Sequence, residues 1–259
     1  MTAKLDSARG LYLEGILAGN IQEALDAYVG DRYTQHSTGV ADGKEGFRAF
    51  FEPFLARNPQ REIEVVRAIE DGSYVFLHVA QKLGGSAQWV TADLFDTDEN
   101  DRIVEHWDTI APGGRTTPSG HTQTDGPTQV TDHERTAENK DRVAEFIAVV
   151  LQGGETELLR EYVSAAQYVQ HNPDIADGIE GFEDFAARLA EEGKAMTYVK
   201  VHRLVGQGNF VVALSEVDSG GTSLAVFDIF RLENGLIVEH WDNAEPVPTP
   251  AVANSSGKF

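Results

Sequence analysis

Two aspartates stand in segments where a carboxylate is costly. Asp93 lies in Trp89-Val90-Thr91-Ala92-Asp93-Leu94-Phe95, and Asp228 lies in Leu224-Ala225-Val226-Phe227-Asp228-Ile229-Phe230. If these strands are buried, each carboxyl group is desolvated and its pKa rises, which makes it a competent general acid or base near neutrality. A strand also has an outer face, and an aspartate there, or one tied to Arg102 or Arg231, would do no chemistry. Recurrence in one motif brings the proton-transfer role forward for both.

Histidines supply the second set of candidates. His36 and His171 each follow a tyrosine, Tyr33 and Tyr168, by three positions and precede a turn, a place from which a side chain can reach a cavity mouth. There an imidazole can orient a carbonyl or carry a proton, or it can simply pin the junction by bonding to backbone. His78 alternates with Phe76 and shares its face, but the matching residue of the later segment is Leu214. His106-Trp107 and His240-Trp241 are adjacent pairs, so only one member of each can look inward. The candidate catalytic residues are therefore Asp93, Asp228, His36, His171 and His78, and the candidate pocket walls are Tyr33, Trp89, Trp107, Tyr168 and Trp241. No HExxH zinc motif, phosphate-binding glycine loop or G-x-S-x-G elbow occurs, so neither metal nor cofactor is expected.

The elements that must position these residues come in two copies. Tyr33-Thr34-Gln35-His36 recurs as Tyr168-Val169-Gln170-His171, and Asp42-Gly43-Lys44-Glu45-Gly46-Phe47 as Asp177-Gly178-Ile179-Glu180-Gly181-Phe182. Asp93-Leu94-Phe95 recurs as Asp228-Ile229-Phe230, and Ile103-Val104-Glu105-His106-Trp107-Asp108 as Ile237-Val238-Glu239-His240-Trp241-Asp242. Each copy opens with helical spacing (Leu11, Ile16, Ile21, Leu25; Val143, Phe146, Ile147, Val150), followed by a helix after Gly46 or Gly181. The period then changes to strands rich in β-branched and aromatic residues, separated by turns such as Asp71-Gly72 and Gly84-Gly85. Helices first and strands after predicts an α+β class: two tandem cone-shaped domains, each a curved antiparallel sheet capped by about three N-terminal helices. The expected boundaries are a first domain at 1–112, a Gly/Pro/Thr/Ser-rich linker at 113–132, a second domain at 133–248 and a flexible tail at 249–259.

Composition narrows the partners. The 259 residues carry 42 acidic against 21 basic side chains, a formal charge of −21 that repels phosphate backbones and anionic lipid. Neither nucleic acid nor membrane is an expected partner. No run approaches a membrane span, and the first residues lack a signal-peptide pattern, so a soluble, cytoplasmic protein is expected. With no cysteine, disulfides, thiolate metal sites and cysteine nucleophiles are excluded.

Taken together, Tyr-x-Gln-His, Gly-x-x-Gly-Phe, Asp-[Leu/Ile]-Phe and Ile-Val-Glu-His-Trp-Asp resemble SnoaL-like polyketide cyclases, of the superfamily that includes ketosteroid isomerase and nuclear transport factor 2. The resemblance spans Leu11 to Ile110 and Asn139 to Glu245. It implies cofactor-free aldol or enolisation chemistry on an apolar, polyketide-like small molecule, with the proton-abstracting role on Asp93 and Asp228. An aspartate base in an apolar cone is the logic of the related isomerase. It also implies an intramolecular pseudodimer, with a further homodimer open. The copies depart from the pattern differently: Gln170-His171-Asn172-Pro173 is Gln35-His36-Ser37-Thr38 in the first, and Phe230-Arg231 is Phe95-Asp96. That unequal erosion keeps two alternatives open, a non-catalytic small-molecule binder and epoxide hydrolase-like hydrolysis.

Overall fold

A computed structural model describes residues 2–248 and 253–259. The chain divides into two units: residues 1–113 with 247–259, and residues 114–246.

In the first unit, α1 (Ala3–Gly10) runs into a π-helical segment (Leu11–Leu17), followed by α2 (Ile21–Tyr28), β1 (Val29–Gln35) and α3 (Gly43–Arg57). The helices break at Gly19, whose φ of +86° suits glycine. Four long strands follow: β2 (Arg61–Asp71), β3 (Tyr74–Leu83), β4 (Ala87–Thr97) and β5 (Ile103–Pro112). Their sheet order is β1-β5-β4-β3-β2. The sheet is mixed, because β1 joins β5 in parallel while the other pairs are antiparallel. Tyr33-Thr34-Gln35 therefore forms a parallel edge strand beside the antiparallel sheet that the sequence predicts.

The Asp-Gly-x-x-Gly-Phe repeat has a structural cause. The Asp42 carboxylate accepts the Gln35 backbone N–H at 2.9 Å and leads into Gly43 at φ +83°. A Cβ on Gly46 would stand 2.2 Å from the Ala41 carbonyl oxygen, so only glycine lets α3 start there, and Phe47 then drops into the core. Asp177, Gly178 and Gly181 repeat this, with a Cβ on Gly181 2.1 Å from the Ala176 oxygen.

The second unit has α4 (Thr136–Phe146) continuing as a π-helical segment (Ile147–Gln152), α5 (Leu159–Tyr162), β6 (Val169–Gln170) and α6 (Gly178–Glu191). Its sheet has the order β6-β10-β9-β8-β7, from β7 (Met196–Gln207), β8 (Phe210–Ser219), β9 (Thr222–Glu233) and β10 (Leu236–Pro246). In each unit the helices cover one face of a bent sheet, and the core lies between them. Leu11, Ile16, Leu25 and Phe47 meet Val75, Leu77, Val79 and Phe95 in the first; Val143, Phe146 and Leu159 meet Val211, Ala213 and Phe230 in the second.

Strand register decides which side chains share that inner face. Leu77 pairs with Asp93 and Asp93 with Asp108, while Phe95 pairs with His106 and His106 with Gln35. These residues look toward the helices. His78 pairs with Ala92 and Trp107 with Leu94, which places them on the opposite face.

The stretches expected to be a linker and a flexible tail have defined places. The segment 114–132, which follows β5 in sequence, packs within the second unit, where Thr116 bridges Thr122. The segment Val247–Phe259, which follows β10, belongs to the first. Side-chain hydrogen bonds hold parts of the first segment and residues 254–258 of the expected tail, of which 249–252 lie outside the described residues.

Candidate active site

In the first unit a cavity of about 460 Å³ opens between the helices and the inner face of the sheet. Its walls are mostly apolar, with Phe47, Phe50, Phe51 and Trp89 among them, and Tyr12, Thr91, Asp93 and His106 are among its polar lining residues. Asp93 is 2% exposed. Its Oδ1 accepts from Tyr12 Oη at 2.8 Å and faces His106 Nε2 at 3.0 Å, and its Oδ2 accepts from Thr91 Oγ1 at 2.7 Å. Burial pushes the Asp93 carboxyl above its ordinary pKa, and the bonds from His106 and Thr91 offset that only in part.

His106 Nδ1 lies 3.0 Å from Gln35 Oε1, an acceptor, so Nδ1 carries a hydrogen. The other ring nitrogen, Nε2, is the one that meets the Asp93 carboxyl. His106 is held flat by Phe95, with centroids 4.6 Å apart at 17°. Two further buried groups, Tyr33 Oη and Gln35 Nε2, make no well-formed hydrogen bond, although Gln35 stands near enough to Tyr33 to offset slightly the rise that burial gives its pKa. Both residues line the cavity. An unpaired buried donor costs about 1–3 kcal/mol, so a ligand oxygen that accepts from them is favoured there.

The second unit repeats the pair with different supports. Asp228 Oδ1 faces His240 Nε2 at 3.0 Å, and His240 Nδ1 faces Gln170 Oε1 at 3.1 Å. The phenol on the carboxylate comes from Tyr198 of β7, at 3.1 Å, because the counterparts of Tyr12 and Thr91 are Ile147 and Val226. Gln170 Nε2 is already bonded to Tyr168 Oη at 2.9 Å, and the cavity is smaller, about 190 Å³.

Asp108 and Asp242 stand beside the two pairs. In each unit the donor atoms of the Asp, His and Asp side chains lie within 4.8 Å of one another. Those donors are committed to protein partners: Lys258 Nζ sits 3.1 Å from Asp108 Oδ1, and Asn172 Nδ2 sits 2.6 Å from Asp242 Oδ2. Burial raises the Asp242 pKa despite the bonds it accepts. Burial opposes a charge on His240, but the Asp228 carboxylate at hydrogen-bond distance outweighs it, and the His240 pKa is raised. A histidine pKa raised by folding contributes stability that is complete below its unfolded value of about 6.5 and is lost as pH climbs through the folded value. The stability difference between the wild type and His240→Gln, measured by urea unfolding, should therefore shrink as pH rises from about 6 to 9.

Of the residues singled out from the sequence, the structure brings Asp93, Tyr33 and Trp89 together around the first cavity and Asp228 into the second. His106, His240, Tyr12, Gln35 and Tyr198 complete the sites. His106 and His240 could have been preferred over their tryptophan neighbours by strand parity with Asp93 and Asp228, whereas Tyr12 and Tyr198 carry no repeat signal at all.

Sheet parity corrects the others. His36, His78, His171, Trp107 and Trp241 are on the face away from the cavities, so they neither line a pocket nor reach the carboxylates. His36 stacks on Trp107 at 4.9 Å and His171 on Trp241 at 4.5 Å. Each imidazole is clamped between a backbone carbonyl and a glutamate: His36 by Gly257 O and Glu105, His171 by Thr122 O and Glu239. His78 lies 3.2 Å from the Arg67 guanidinium, and Leu214 replaces it on the same outward face, so its loss leaves the second pocket intact. Tyr168 is buried against Gln170 and is not among the residues lining the second cavity.

The lost Phe-Arg pair also has an explanation. Arg231 donates to Glu239 at 2.6 Å in the second unit, and its counterpart Asp96 faces Glu105 across the strands in the first. Arg32 compensates from β1, 3.6 Å from Glu105. Breaking a buried ion pair by removing one partner typically costs about 3–5 kcal/mol. Glu239→Ala, which removes the buried partner of Arg231 Nε and of His171 Nε2 and leaves Arg231 only the more exposed Glu233, should therefore lower the urea midpoint more than Glu105→Ala.

An apolar, sheet-backed cavity with a buried carboxylate–imidazole pair at its floor defines a class of small α+β small-molecule-binding domains, present twice. The SnoaL-like domain model matches residues 10–106 and 143–240, and the chain belongs to that family. No curated protein matches the sequence. Among solved structures it is similar to a loop-truncated IdmH, a Streptomyces antibioticus protein proposed to be a polyketide cyclase (20% identity, 41% of this chain and 91% of that one, TM-score 0.36). It is also similar to an NTF2-like protein from Cytophaga hutchinsonii (21%, 46% and 95%, 0.34) and to TsrD from Streptomyces laurentii (23%, 42% and 89%, 0.35). Among the described residues, no helix is long and apolar enough to cross a membrane.

Proposed function

We propose that the first unit is a cofactor-independent enzyme that moves a proton on an apolar, carbonyl-bearing small molecule of polyketide-like kind. The observation that carries this reading is the Asp93 carboxyl, raised in pKa by burial, at the floor of a 460 Å³ apolar cavity. The ligand's carbonyl oxygen accepts from Tyr33 Oη and Gln35 Nε2, buried donors that make no well-formed hydrogen bond within the protein. Asp93 Oδ2, which retains a lone pair beyond its bond from Thr91, takes a proton from the adjacent carbon. The C–H electron pair moves onto the oxygen, and the resulting enolate is held by the two donors. The enolate then either takes the proton back from Asp93 at another carbon, an isomerisation, or attacks a second carbonyl of the same molecule, whose π pair moves onto its oxygen and takes the Asp93 proton, an aldol closure. Tyr12 and His106 tune the base through Oδ1.

The test is deuterium exchange from solvent into the α-carbon of 1,3-dicarbonyl and aryl ketone probes, followed by NMR. Exchange faster than buffer and dependent on Asp93 supports the proposal. Probes that bind with unchanged affinity to Asp93→Asn and exchange no faster than in buffer would leave a binding protein instead. Tyr33→Phe should slow exchange about 100-fold to 1000-fold, as removal of an oxyanion donor does, without loss of thermal stability.

A further inference from the structure

The two Asp-His-Asp clusters share backbone and register but differ in what meets the outer aspartate. In the first unit it is a lysine from 150 residues further along the chain. Lys258 is 7% exposed, and its ammonium lies 3.1 Å from Asp108 Oδ1 and 3.3 Å from Thr38 Oγ1. The strap that brings it there is fastened at each step. Asn254 Nδ2 donates to the Ser37 carbonyl at 2.9 Å, and Ser255 N and Oγ donate to Asp42 Oδ2 at 3.1 and 2.9 Å. Ser256 Oγ donates to Asp42 Oδ1 at 3.1 Å, and Gly257 O meets His36 Nδ1 at 2.8 Å. His36 and Asp42, both parts of the repeated motif, thus act as posts for the strap.

The segment 114–132 makes the same kind of strap on the second unit: Thr122 O meets His171 Nδ1 at 2.8 Å, and Ser119 and His121 meet Asp177. In sequence, Thr122 stands 135 positions before Gly257, so the residue matching Lys258 is Gln123. The strap repeats; the charge does not.

We propose that Lys258 is a positioning residue of the first site, which holds Asp108 ionised so that Asp93 alone of the two carboxylates exchanges its proton near neutrality. The groups that bear on Asp108 are His106 on its own strand, Asp93 on β4, Tyr33 on β1, Tyr12 on the π-helical segment, and Ser37 and Lys258. Burial opposes its charge; Lys258, His106 and Ser37 favour it, and the balance falls below the ordinary carboxylate range, while the charge on Asp108 helps to raise Asp93. Asp242, without a lysine, is raised instead. Two carboxylates competing for one proton would otherwise titrate as a pair, and the base would be partly spent on its neighbour. Because Lys258 touches Asp108 and is not among the cavity-lining residues, it acts through Asp108 and not on the ligand.

This inference rests on the proton-transfer role of Asp93, and its test separates the two. In the full chain, the Asp108 carboxyl carbon is titrated by NMR in wild type, Lys258→Gln and Lys258→Arg. Lys258→Gln should raise the Asp108 midpoint by about one pH unit or more, the usual effect of a charge within hydrogen-bond reach. The acid limb of the exchange rate should move up with it, and Lys258→Arg should restore both. An Asp108 midpoint unchanged in Lys258→Gln overturns the proposal. Should Lys258→Gln fail to fold, an elevated midpoint in Lys258→Arg, which keeps the charge, would do the same. Failure of the Asp93 reading looks different: the Asp108 shift is present, and exchange is indifferent to Asp93→Asn.

Discussion

Asp93→Asn should lower turnover about 100-fold to 10,000-fold, the usual contribution of a positioned acid or base, while the folded unit stays at least as stable above neutral pH. The stability half of the expectation follows from sign. A carboxyl whose pKa is raised by folding favours the folded state at low pH and loses that contribution as pH rises through the folded value. Asparagine keeps the shape and carries no charge to desolvate. It still accepts from Tyr12 through its oxygen, though its amide cannot accept from Thr91, whose hydroxyl can turn toward Tyr12 at 3.1 Å. The same substitution in the other unit, Asp228→Asn, should leave most of the rate. There the cavity is about 190 Å³ against 460 Å³, and the donor that would hold an enolate oxygen is already spent within the protein, Gln170 on Tyr168. Equal losses from the two variants, read as kcat/KM on one probe with circular dichroism to confirm folding, would place the chemistry in both cavities and remove the argument from size.

Much of the architecture is legible in the sequence because it follows local rules. The change of period from helix to strand, the glycine that admits α3 against the Ala41 carbonyl, and the recurrence of four motifs together specify two α+β units without any long-range information. The aspartates are legible for the same reason: a charged residue inside an apolar strand is conspicuous. What was illegible depends on pairing between distant segments. Whether His36 faces the cavity depends on the register of β1 against β5, a parallel pairing set across about 70 residues. Once Gln35 is known to oppose His106, parity sends His36 outward with Trp107, and the histidine that meets Asp93 is the one on the last strand. Tyr12 and Tyr198 show the limit more plainly. The two units meet the same need, a phenol on a buried carboxylate, from a helical segment in one and from an outer strand in the other. A repeat search finds matched positions, and this function has moved to unmatched ones. Lys258 was hidden differently, in a segment whose composition reads as tail.

Trp241→Ala should destabilise the second unit by about 3–5 kcal/mol and leave ligand affinity at the first cavity unchanged. Trp241 is fully buried on the outward face of β10, stacked within 10° on His171, and its indole Nε1 donates to the Asp125 carbonyl at 3.0 Å. Truncation removes a large apolar volume, leaves that carbonyl without its donor and frees the imidazole that fastens Thr122. Strap and sheet therefore loosen together. Trp89→Ala makes the comparison informative. Trp89 is half-buried on the cavity side, where truncation leaves space that water can enter, so its cost in stability should be smaller and its effect on ligand affinity larger. The two tryptophans are thus separated by which face of a sheet they occupy: one is read by urea unfolding, the other by ligand titration. Affinity lost on Trp241→Ala, with the urea midpoint unmoved, would contradict the assignment of faces on which the whole site is built.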